Sequence, residues 1–450
     1  MSQPYRTLFM GTLVQDSFLS VGGRDDPTAS VDSPFCLDGS NRPTLRGSGL
    51  AGALVATLRR MRRDEPEPVP KTISGSVDGR QPSVWRCFNS HPRAETRPVV
   101  RQHVAIDPRT GAAATGMLFD VETLPPGIRW PFLLEVDTSR DAQAADLARQ
   151  VLGHWAAGRC LLGREVARGL GWLRLENGRE YVLTSEHLEQ WPCACDANDY
   201  PGYIAAQFQA LARPIKPAAT PLPDWCEISG TLTAGDYRPA WHGDGESVWG
   251  LDSLSIGGHA GDELIAHWND RFMAPDGLAE EARDSLFDPD FTVVTCVREG
   301  DDQRLPYIPG SSLRGPLRHA LARRRRTRGE GTEDVDTLFG TTQQSAKLLI
   351  QDAFPDPDAE LRLAWFQHHA EDEFTASTYG SGKFDRVAVM QGRFRWRMVL
   401  EGARPEQRQA LRELLALAEH GQIGIGGGQW RGHGWLRWQI DRFDGEEDGV

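Results

Sequence analysis

The sequence predicts an α+β protein of two tandem ferredoxin-like domains, each with the RRM-like element order βαββαβ. The first observation behind this prediction is an internal repeat. RGSGLAGAL, which begins at Arg46, matches PGSSLRGPL, which begins at Pro309, at an offset of 263. RGLGWLR, which begins at Arg168, matches RGHGWLR, which begins at Arg431, at the same offset. The second observation is that each copy alternates apolar, β-branched runs with amphipathic helical segments.

Local patterns predict the elements of each copy in order. TLFMGTLV is apolar and β-branched enough for a strand, and Ser48 is expected to cap the helix after it. One face of this helix is apolar in both copies: Leu50, Leu54, Leu58 and Met61 in the first, and Leu313, Leu317 and Leu321 in the second. An extended region ending in RWPFLLEV, a helix with Leu147, Val151 and Trp155, a glycine loop and the strand GWLRLE complete the first copy.

A further repeated block, which starts at His103 in the first copy and at His368 in the second, is predicted to form a hairpin that projects from each domain. Its matching residues are His103, Asp107 and Phe119 in the first copy, and His368, Asp372 and Phe384 in the second. His103 and Asp107 are too few ligands for a metal site, so no residue is assigned to a metal. A structural hairpin, or one that wedges into a substrate, is the favoured interpretation.

The repeat places two domains at residues 1–212 and 225–450. The proline-rich segment between them, 213–224, is expected to be a semi-rigid spacer. The second copy has an insert at about 258–301, of which DELIAHW and GLAEEARDSLF have helical patterns.

Charge gives a conflicting signal about binding partners. The 450 residues include 50 Lys and Arg against 63 Asp and Glu, a net charge of -13, which argues against a general polyanion binder. Four of the 50 basic residues are lysines, so the rest are arginines. This bias is consistent with a GC-rich genome, and equally with a need for planar, bidentate contacts to phosphate.

Several classes of protein are not expected. The sequence has neither a run of about 20 apolar residues nor a signal peptide, so we expect a cytoplasmic protein without a membrane partner. Cys193 and Cys195 form a C-x-C without a second pair at zinc spacing, which predicts no structural metal. The Walker loop, HExxH and dinucleotide fingerprint are also missing, and no organic cofactor is expected.

The turn into the first helix of each copy is a candidate phosphate site. RGSG and PGSS place backbone N–H groups at a helix N-terminus, where the helix dipole favours an anion, although an ordinary helix cap would look the same. The side chains that could contribute are hydroxyls near the turn and arginines along the helix: Arg46, Ser48, Arg59, Arg60, Ser311, Ser312, Arg314 and Arg318. Repetition of a basic helix in an acidic protein favours binding of a nucleic-acid backbone.

The glycine loop before the last strand of each copy is a second candidate. Glycines permit positive φ and a close approach of backbone to a ligand, but hairpins need glycine too. The candidate RNA-binding residues here are Arg164, Arg168, Gly169 and Gly171 in the first copy, and Gly428, Arg431 and His433 in the second, with Trp430 available for stacking.

Asp32 and Asp38 lie on a loop before the turn into the first helix, the first candidate phosphate site. At the offset of 263, Asp38 aligns with Asp301 and Asp32 with Thr295, so the second copy is expected to lack one of the two carboxylates. A loop aspartate is more often a turn former than a catalyst.

The motifs YIPGSSLRGPLRHAL, LFGTTQQSAKLLIQDAF and GGGQWRGHGWLRW, in this order, resemble the RAMP superfamily of CRISPR effector subunits. The similarity is strongest to the backbone subunits of type III complexes, and the first copy shows it through VDSPF, RGSGLAGAL and LGREVARGLGW. The resemblance implies RAMP domains with thumb hairpins and glycine-rich loops. It also implies three kinds of partner: a guide RNA, a target RNA and other effector subunits.

The resemblance further implies that Asp32 cleaves target RNA with a divalent metal, Mg²⁺ or Mn²⁺, beside the thumb at His103 to Glu122. Because Thr295 aligns with Asp32, the second copy is expected to bind guide RNA and to cleave poorly or not at all. Two alternatives remain at this point. One is a non-catalytic guide-binding subunit, and the other is a processing endoribonuclease in which His91, His103 or His433 acts as general acid–base.

Overall fold

A computed structural model describes the residues 4–23, 31–76, 80–107, 113–189, 200–235, 254, 257–258, 272–273, 291–298, 300, 304–377, 380 and 382–444. The chain divides into two compact units. Unit 1 comprises Met1–Val166 and Leu170–Trp225, and unit 2 comprises Ala167–Gly169 and Cys226–Val450. Both units contain helices and strands, which confirms the mixed α and β composition expected from the sequence.

Unit 1 is a sheet with two main helices. Its strands are β1 (Pro4–Gln15), β2 (Trp85–Cys87), β3 (Val99–Ile106), β4 (Ala113–Thr123), β5 (Arg129–Val136), β6 (Cys160–Leu161), β7 (Trp172–Thr184) and β8 (Arg213–Pro214). Its helices are α1 (Gly47–Met61), α2 (Lys71–Ser74), α3 (Gln143–Ala156), α4 (Ser185–Glu189) and α5 (Tyr200–Gln207). The sheet order is β2-β5-β1-β7-β6, and β1 is antiparallel to both β5 and β7. Strands β3 and β4 form a separate antiparallel hairpin.

The core of unit 1 lies between the sheet and the helices α1 and α3. Leu50, Leu54 and Leu58 of α1 are fully buried there, as the apolar stripe in the sequence predicts. In α3, Trp155 is also fully buried, and its indole N–H donates to Thr57 Oγ1 at 3.0 Å. This bond satisfies the polar atom of a fully buried indole and fixes α3 against α1.

The segment 213–224, expected to be a spacer, packs on unit 1 instead. Its first residues form β8, which pairs with β7, and Ile215 and Leu222 are buried. The apolar residues among its prolines provide the burial that a free linker would lack.

Unit 2 has a sheet of the same kind. Its strands are β9 (Trp225–Ala234), β10 (Gly257–Gly258), β11 (Phe272–Met273), β12 (Thr292–Val293), β13 (Thr295–Val297), β14 (Arg304–Pro306), β15 (Leu348–Ile350), β16 (Phe354–Pro355), β17 (Arg362–His368), β18 (Phe384–Glu401) and β19 (Arg437–Phe443). Its helices are α6 (Gly310–Thr327), α7 (Glu333–Phe339) and α8 (Pro405–Glu419). The main order is β11-β17-β18-β9-β19, and β15 and β16 also pair with β18.

The helices of unit 2 bury the stripe that the repeat predicts. Leu313, Leu317 and Leu321 of α6 are at most 2% exposed and join one core with Leu411 and Leu414 of α8. The two helical patterns predicted within the insert lie outside the described residues. Across the part of the chain that the structure describes, no helix is long and apolar enough to cross a membrane.

Candidate functional site

Asp32 is held at the base of the β3–β4 hairpin. The chain at Ser33 runs parallel to β4: the Ser33 N–H donates to Asp120 O at 3.1 Å, and the Glu122 N–H donates to Ser33 O at 2.9 Å. The Asp32 side chain is exposed, and its Oδ2 accepts a hydrogen bond from the backbone N–H of Asp120 at 2.9 Å. One carboxylate oxygen therefore anchors Asp32 to the hairpin, and the group itself stays accessible to solvent.

An arginine from the glycine loop reaches the same place. The Arg164 backbone N–H donates to Ser20 O at 2.9 Å, which ties the loop to the strand segment before Gly22. The exposed guanidinium contacts Ser33 Oγ through Nη1 at 3.4 Å, one residue from Asp32. A carboxylate and a guanidinium thus border one exposed surface, where the guanidinium can donate hydrogen bonds and the carboxylate can accept them.

The predicted hairpin residues meet across the two strands in both units. His103 pairs with Phe119 in register, and their rings stack with centroids 5.1 Å apart. His368 pairs with Phe384 in the same way, with centroids 5.0 Å apart. The repeated block thus forms a hairpin in each unit, and the His–Phe stack stiffens it at equivalent positions.

Asp107 and Asp372 lie in the connections after the first strand of each hairpin. Asp372 Oδ1 accepts from the backbone N–H groups of Thr375 and Phe374 at 2.9 Å each, and these two bonds lower the pKa of the carboxyl. The residue is a turn former. Within the described residues, His, Cys, Asp and Glu form no group of three or more that could hold a metal.

Each hairpin base also contains a buried arginine that the sequence repeat did not reveal. In unit 1, Arg101 pairs with Val121 and lies over the ring of Phe18 at 5.3 Å. In unit 2 the arginine is on the opposite strand, because Phe366 pairs with Arg386. A repeat alignment treats the two positions as unrelated substitutions, whereas strand register shows that the arginine of one cross-strand pair lies on opposite strands in the two units.

The buried charge of Arg386 has fewer hydrogen bonds to compensate its burial than that of Arg101. Its side chain is 8% exposed and lies over the Phe291 ring at 5.3 Å. Its Nε and Nη1 atoms have no hydrogen-bond partner among the described residues. Burial and the nearby Arg431 lower the pKa of its guanidinium. A buried cation of this kind is costly, and a bound anion would offset the cost.

The glycine loops have a clear structural reason for their glycines. Gly171 and Gly434 have φ of 75° and 87°, and a Cβ at either position would meet the carbonyl oxygen of Leu162 or Ile425 at less than 3.0 Å. Gly169 and Gly428 also have positive φ, at 115° and 72°. The hairpin interpretation therefore accounts for these glycines without a ligand.

The side chains on the loops differ in accessibility. Arg164 and Arg431 are exposed and Arg168 is half-buried. Arg431 lies over the Phe384 ring at 4.9 Å, and Trp430 is 100% exposed. These four side chains are the members of the predicted loop sites that are at least partly exposed.

His433, expected to bind RNA, is 0% exposed. Its ring packs edge-on against Phe366 and His368, with centroids 5.3 and 5.4 Å apart. Burial, followed by the charge of Arg386, lowers its pKa to about 4, so the ring is neutral near pH 7. The aromatic cluster beneath the loop encloses this side chain, which disfavours direct contact with RNA. RNA binding by His433 stays a prediction.

Buried histidines predict a loss of stability in acid. Burial also lowers the pKa of His154 in unit 1 to about 4. Between pH 6.5 and about 4, the unfolded chain binds protons at His154 and His433 that the folded chain does not bind. The free energy of unfolding contributed by these groups is therefore fully present above pH 6.5 and decreases as the pH falls to about 4. Each group contributes up to roughly 3 kcal/mol.

Urea unfolding at a series of pH values measures this effect. His433→Leu introduces the residue that unit 1 has at the matching position, Leu170, and should flatten the pH dependence of unit 2. His420 is exposed, so His420→Gln is the control and should leave the slope unchanged. An unchanged slope in His433→Leu would contradict the assignment.

In the turns into α1 and α6, which were predicted to bind phosphate, the first helical N–H group donates to a protein side chain. Helix α1 begins at Gly47 with Arg46 at the N-cap position, and the Gly47 N–H donates to Asn89 Oδ1 at 2.8 Å. Ser48 is therefore inside the helix and does not cap it. In unit 2 the Gly310 N–H donates to the buried carboxylate of Asp352 at 2.7 Å. This negative charge at the start of α6 disfavours an anion there.

Many helix arginines interact with protein groups. Arg60 lies over the Trp225 ring at 5.9 Å, Arg314 lies over Phe339 at 5.9 Å, and Arg318 pairs with Asp336 at 2.8 Å. Ion pairs also hold other arginines near the C-terminal ends of α1 and α6: Arg62–Glu65, Arg63–Asp224, Arg324–Glu413 and Arg325–Asp334. Arg46, Ser48 and Arg59 are exposed, and Ser311 and Ser312 are half-buried. RNA binding by these residues stays a prediction.

Strand register corrects the alignment of Asp32 with Thr295. Leu37 pairs with Pro43 in unit 1, and Thr295 pairs with Pro306 in unit 2. Pro43 and Pro306 are related by the repeat offset of 263, so Thr295 corresponds to Leu37 and not to Asp32. The connection between the paired residues is longer in unit 2, and this extra length displaced the alignment. The argument that the second copy lacks the carboxylate is therefore wrong.

Asp38 is the turn former that its position suggested. Its Oδ1 accepts from the backbone N–H groups of Ser40 and Arg42 at 2.8 and 3.0 Å, and its Oδ2 accepts from Arg42 Nε at 3.1 Å. The backbone bond from Arg42 is the largest cause of its lowered pKa. Asp301 lies outside the described residues.

Comparison with known proteins adds the family. The model of the RAMP superfamily matches residues 20–174 and 292–437, one match for each copy of the repeat. The chain belongs to the RAMP superfamily. It is also similar to "CRISPR system Cms endoribonuclease Csm3" of Enterococcus italicus, with 28% identity over 170 residues, covering 31% of this chain and 74% of that protein. The first of these two matches contains Asp32, the β3–β4 hairpin and the first glycine loop.

Proposed function

We propose that this RAMP protein is a guide-RNA-binding backbone subunit of a type III CRISPR effector complex, and that unit 1 cleaves target RNA. The observation that supports cleavage most directly is Asp32, an exposed carboxylate anchored at the base of a hairpin with Arg164 beside it. Similarity to a CRISPR endoribonuclease supports the same reaction class. Cytoplasmic location and association with other effector subunits belong to this proposal.

Strand order supports a ferredoxin-like core in each unit. In unit 1 the order β2-β5-β1-β7, with α1 after β1 and α3 after β5, is a split βαβ arrangement. In unit 2 the order β15-β18-β9-β19, with α6 and α8 in the matching connections, repeats it. In RNA-binding modules, sheets of this type bind RNA bases on their open face.

The chemistry follows from where Asp32 sits. An RNA strand that crosses the hairpin would have a nucleotide unstacked there, and unstacking costs a few kcal/mol. The Asp32 carboxylate would accept the proton of the 2′-OH, whose oxygen then forms a bond to the adjacent phosphorus. The bond from phosphorus to the 5′-oxygen breaks, and that oxygen takes a proton from water. The products are a 2′,3′-cyclic phosphate and a 5′-hydroxyl.

A divalent ion, Mg²⁺ or Mn²⁺, fits this site as a partner shared with the substrate. Mg²⁺ commonly uses one or two carboxylates and completes its shell with water and phosphate oxygens. Asp32 would hold this ion. Asp120, whose backbone N–H anchors Asp32, also has a buried carboxylate oxygen, Oδ1, without a hydrogen-bond partner among the described residues. The ion would offset the charge on the phosphate oxygens.

The processing-enzyme alternative has little support in the geometry. His433 and His103 are buried, at 0% and 7% exposed, so neither ring is accessible to an RNA phosphate. The half-buried His91 has Nδ1 3.2 Å from Pro43 O. Acid–base chemistry by a histidine needs hydrogen-bond access to the reacting oxygen.

Purification of the assembled complex tests the proposal. It should contain a discrete RNA and cut a complementary target in Mg²⁺, and EDTA should stop the cutting. RNA retention should fall steeply with salt, because arginine contacts to phosphate release counterions. A complex without RNA, or one that leaves a complementary target uncut, would contradict the proposal.

The exposed indole of Trp430 gives a test of RNA binding alone. Stacking of one base on an aromatic ring contributes about 1–3 kcal/mol, so Trp430→Ala should weaken RNA binding about 5- to 150-fold. Trp430→Phe retains a stacking face and should restore most of the affinity. Tyr5→Ala removes another exposed aromatic ring and serves as the control. Equal affinity of Trp430→Ala and wild type in a fluorescence-anisotropy titration would exclude stacking on Trp430.

A further inference from the structure

Arg386 in unit 2 lies directly against the second glycine loop. A Cβ added at Gly428 would lie 2.4 Å from its Nη1 atom and 2.9 Å from the Cδ2 atom of His433. The loop backbone and the guanidinium are therefore in contact, and the missing side chain of Gly428 provides the space. The Nε and Nη1 atoms of Arg386 are buried and have no hydrogen-bond partner within the described ranges. Two donor atoms of a charged group thus lie unused next to this loop.

The backbone of the loop contributes further donors. The N–H groups of Gly426, Gly427 and Gly428 have no hydrogen-bond acceptor among the residues that the structure describes. Gly426 and Gly428 have positive φ, at 78° and 72°, and successive N–H groups in a curved backbone of this kind form anion-binding concavities in proteins. Because the three residues have no side chains, a ligand can approach these groups closely.

The charges near the loop are predominantly positive. Burial, and after it the charge of Arg431, lowers the pKa of the Arg386 guanidinium. Burial, Arg386 and Arg431 also lower the pKa of His368, and Asp385 raises it. In this part of the chain, as far as the structure describes it, two cations therefore act against one carboxylate. An added anion would balance the remaining positive charge.

Unit 1 has a different residue at the corresponding place in its loop. Gly171 and Gly434 occupy equivalent positions in the two loops. With this register, Glu165 corresponds to Gly428, and both have positive φ, at 58° and 72°. The loop of unit 1 therefore has a carboxylate of its own where the loop of unit 2 has none. The anion that compensates the buried arginine of unit 2 must come from another molecule.

We propose that unit 2 binds a phosphate group between Arg386 and the glycine loop 426–428. A phosphate has oxygens in several directions, so it can accept hydrogen bonds from the guanidinium and from the backbone N–H groups together. An RNA backbone and free phosphate both carry this group. The inference deepens the proposed function, and it rests on that function only where the phosphate belongs to RNA.

The buried charge predicts an unusual property of the free protein. Replacement of an uncompensated buried charge by an apolar side chain of similar length is neutral or stabilising. Arg386→Met should therefore unfold at the same temperature as wild type, or at a higher one, when chloride is the only anion. An arginine that protein groups already compensated would give the opposite result.

Thermal unfolding of the full chain in potassium phosphate, and in potassium chloride of equal ionic strength, tests the site. Wild type should unfold about 3–6 °C higher in phosphate at about ten times the dissociation constant. Arg386→Met should retain only the general effect of phosphate on protein solvation. Arg393 is exposed on the same strand, β18, so Arg393→Met is the matched control and should respond as wild type does.

Titration of single-stranded RNA into the same three proteins identifies the source of the phosphate. If RNA supplies it, Arg386→Met should bind RNA about 10-fold or more weakly, the usual loss for a hydrogen-bonded charged group. Inorganic phosphate should then compete with RNA for wild type more strongly than chloride does. If RNA affinity is unchanged and the thermal response differs between Arg386→Met and wild type, the site takes free phosphate.

Two results would overturn the inference. The first is equal behaviour of Arg386→Met and wild type in both measurements, in which case phosphate is an adventitious ion only. The second is a lower unfolding temperature for Arg386→Met than for wild type in chloride, because protein groups would then compensate the guanidinium. Neither result affects the proposed function, which fails when the assembled complex contains no RNA or leaves a complementary target uncut.

Discussion

Asp32→Asn should slow cleavage at the position served by unit 1 by about 10²- to 10⁴-fold, the range that a positioned general base contributes. The substitution retains an oxygen that can accept the bond now made by the Asp120 N–H, so the loop should stay on the hairpin. What is lost is the negative charge that accepts a proton and attracts a divalent ion. RNA binding should therefore persist while cleavage fails.

Asp38→Asn is the matched control for this loss. Asp38 lies further along the same loop, where it accepts bonds from Ser40, Arg42 and the Arg42 side chain. An asparagine retains the acceptor for both backbone N–H groups, so single-turnover cleavage should be close to wild type. Equal losses in Asp38→Asn and Asp32→Asn would indicate that the loop as a whole, and not the Asp32 carboxylate, is needed for cleavage.

Features with a local cause were predictable from the sequence. The apolar stripe of α1 follows from helical spacing, and Leu50, Leu54 and Leu58 are buried as expected. The repeated hairpin block was also recognisable, because His103 and His368 keep the same distance from their phenylalanine partners in both copies. Each of these features depends on residues that are close in sequence or on a repeat without insertions.

Features that depend on distant partners were not predictable. The first N–H of α1 donates to the side chain of Asn89, which follows β2 in the chain, and nothing near Ser48 indicates this bond. Thr295 was aligned with Asp32 because the longer connection in unit 2 lies between Thr295 and Pro306, and a constant offset cannot register a length change inside the segment. Arg101 and Arg386 occupy opposite strands of equivalent cross-strand pairs, which is visible only when the register of both hairpins is known.

Gly47→Ala should destabilise unit 1 by about 1–3 kcal/mol, the usual cost of forcing an extra methyl group into a packed site. A Cβ at Gly47 would lie closer than 3.0 Å to the carbonyl oxygen of Cys87, and this backbone atom belongs to β2, which cannot move away cheaply. Gly49, nearby on the exposed side of α1, has no atom within 4 Å of its Cβ position. Gly49→Ala should therefore be neutral or stabilising by up to about 1 kcal/mol.

The pair of glycine variants also decides what the turn at Gly47 is for. If the glycine were present so that a phosphate could approach the backbone, Gly47→Ala would weaken RNA binding and leave the free protein as stable as wild type. If the glycine is present because α1 begins against β2, the urea midpoint of the free protein falls before any RNA is added. The Gly47 N–H already donates to Asn89, which favours the second outcome. A wild-type midpoint for Gly47→Ala, together with weaker RNA binding, would restore the turn as a phosphate site.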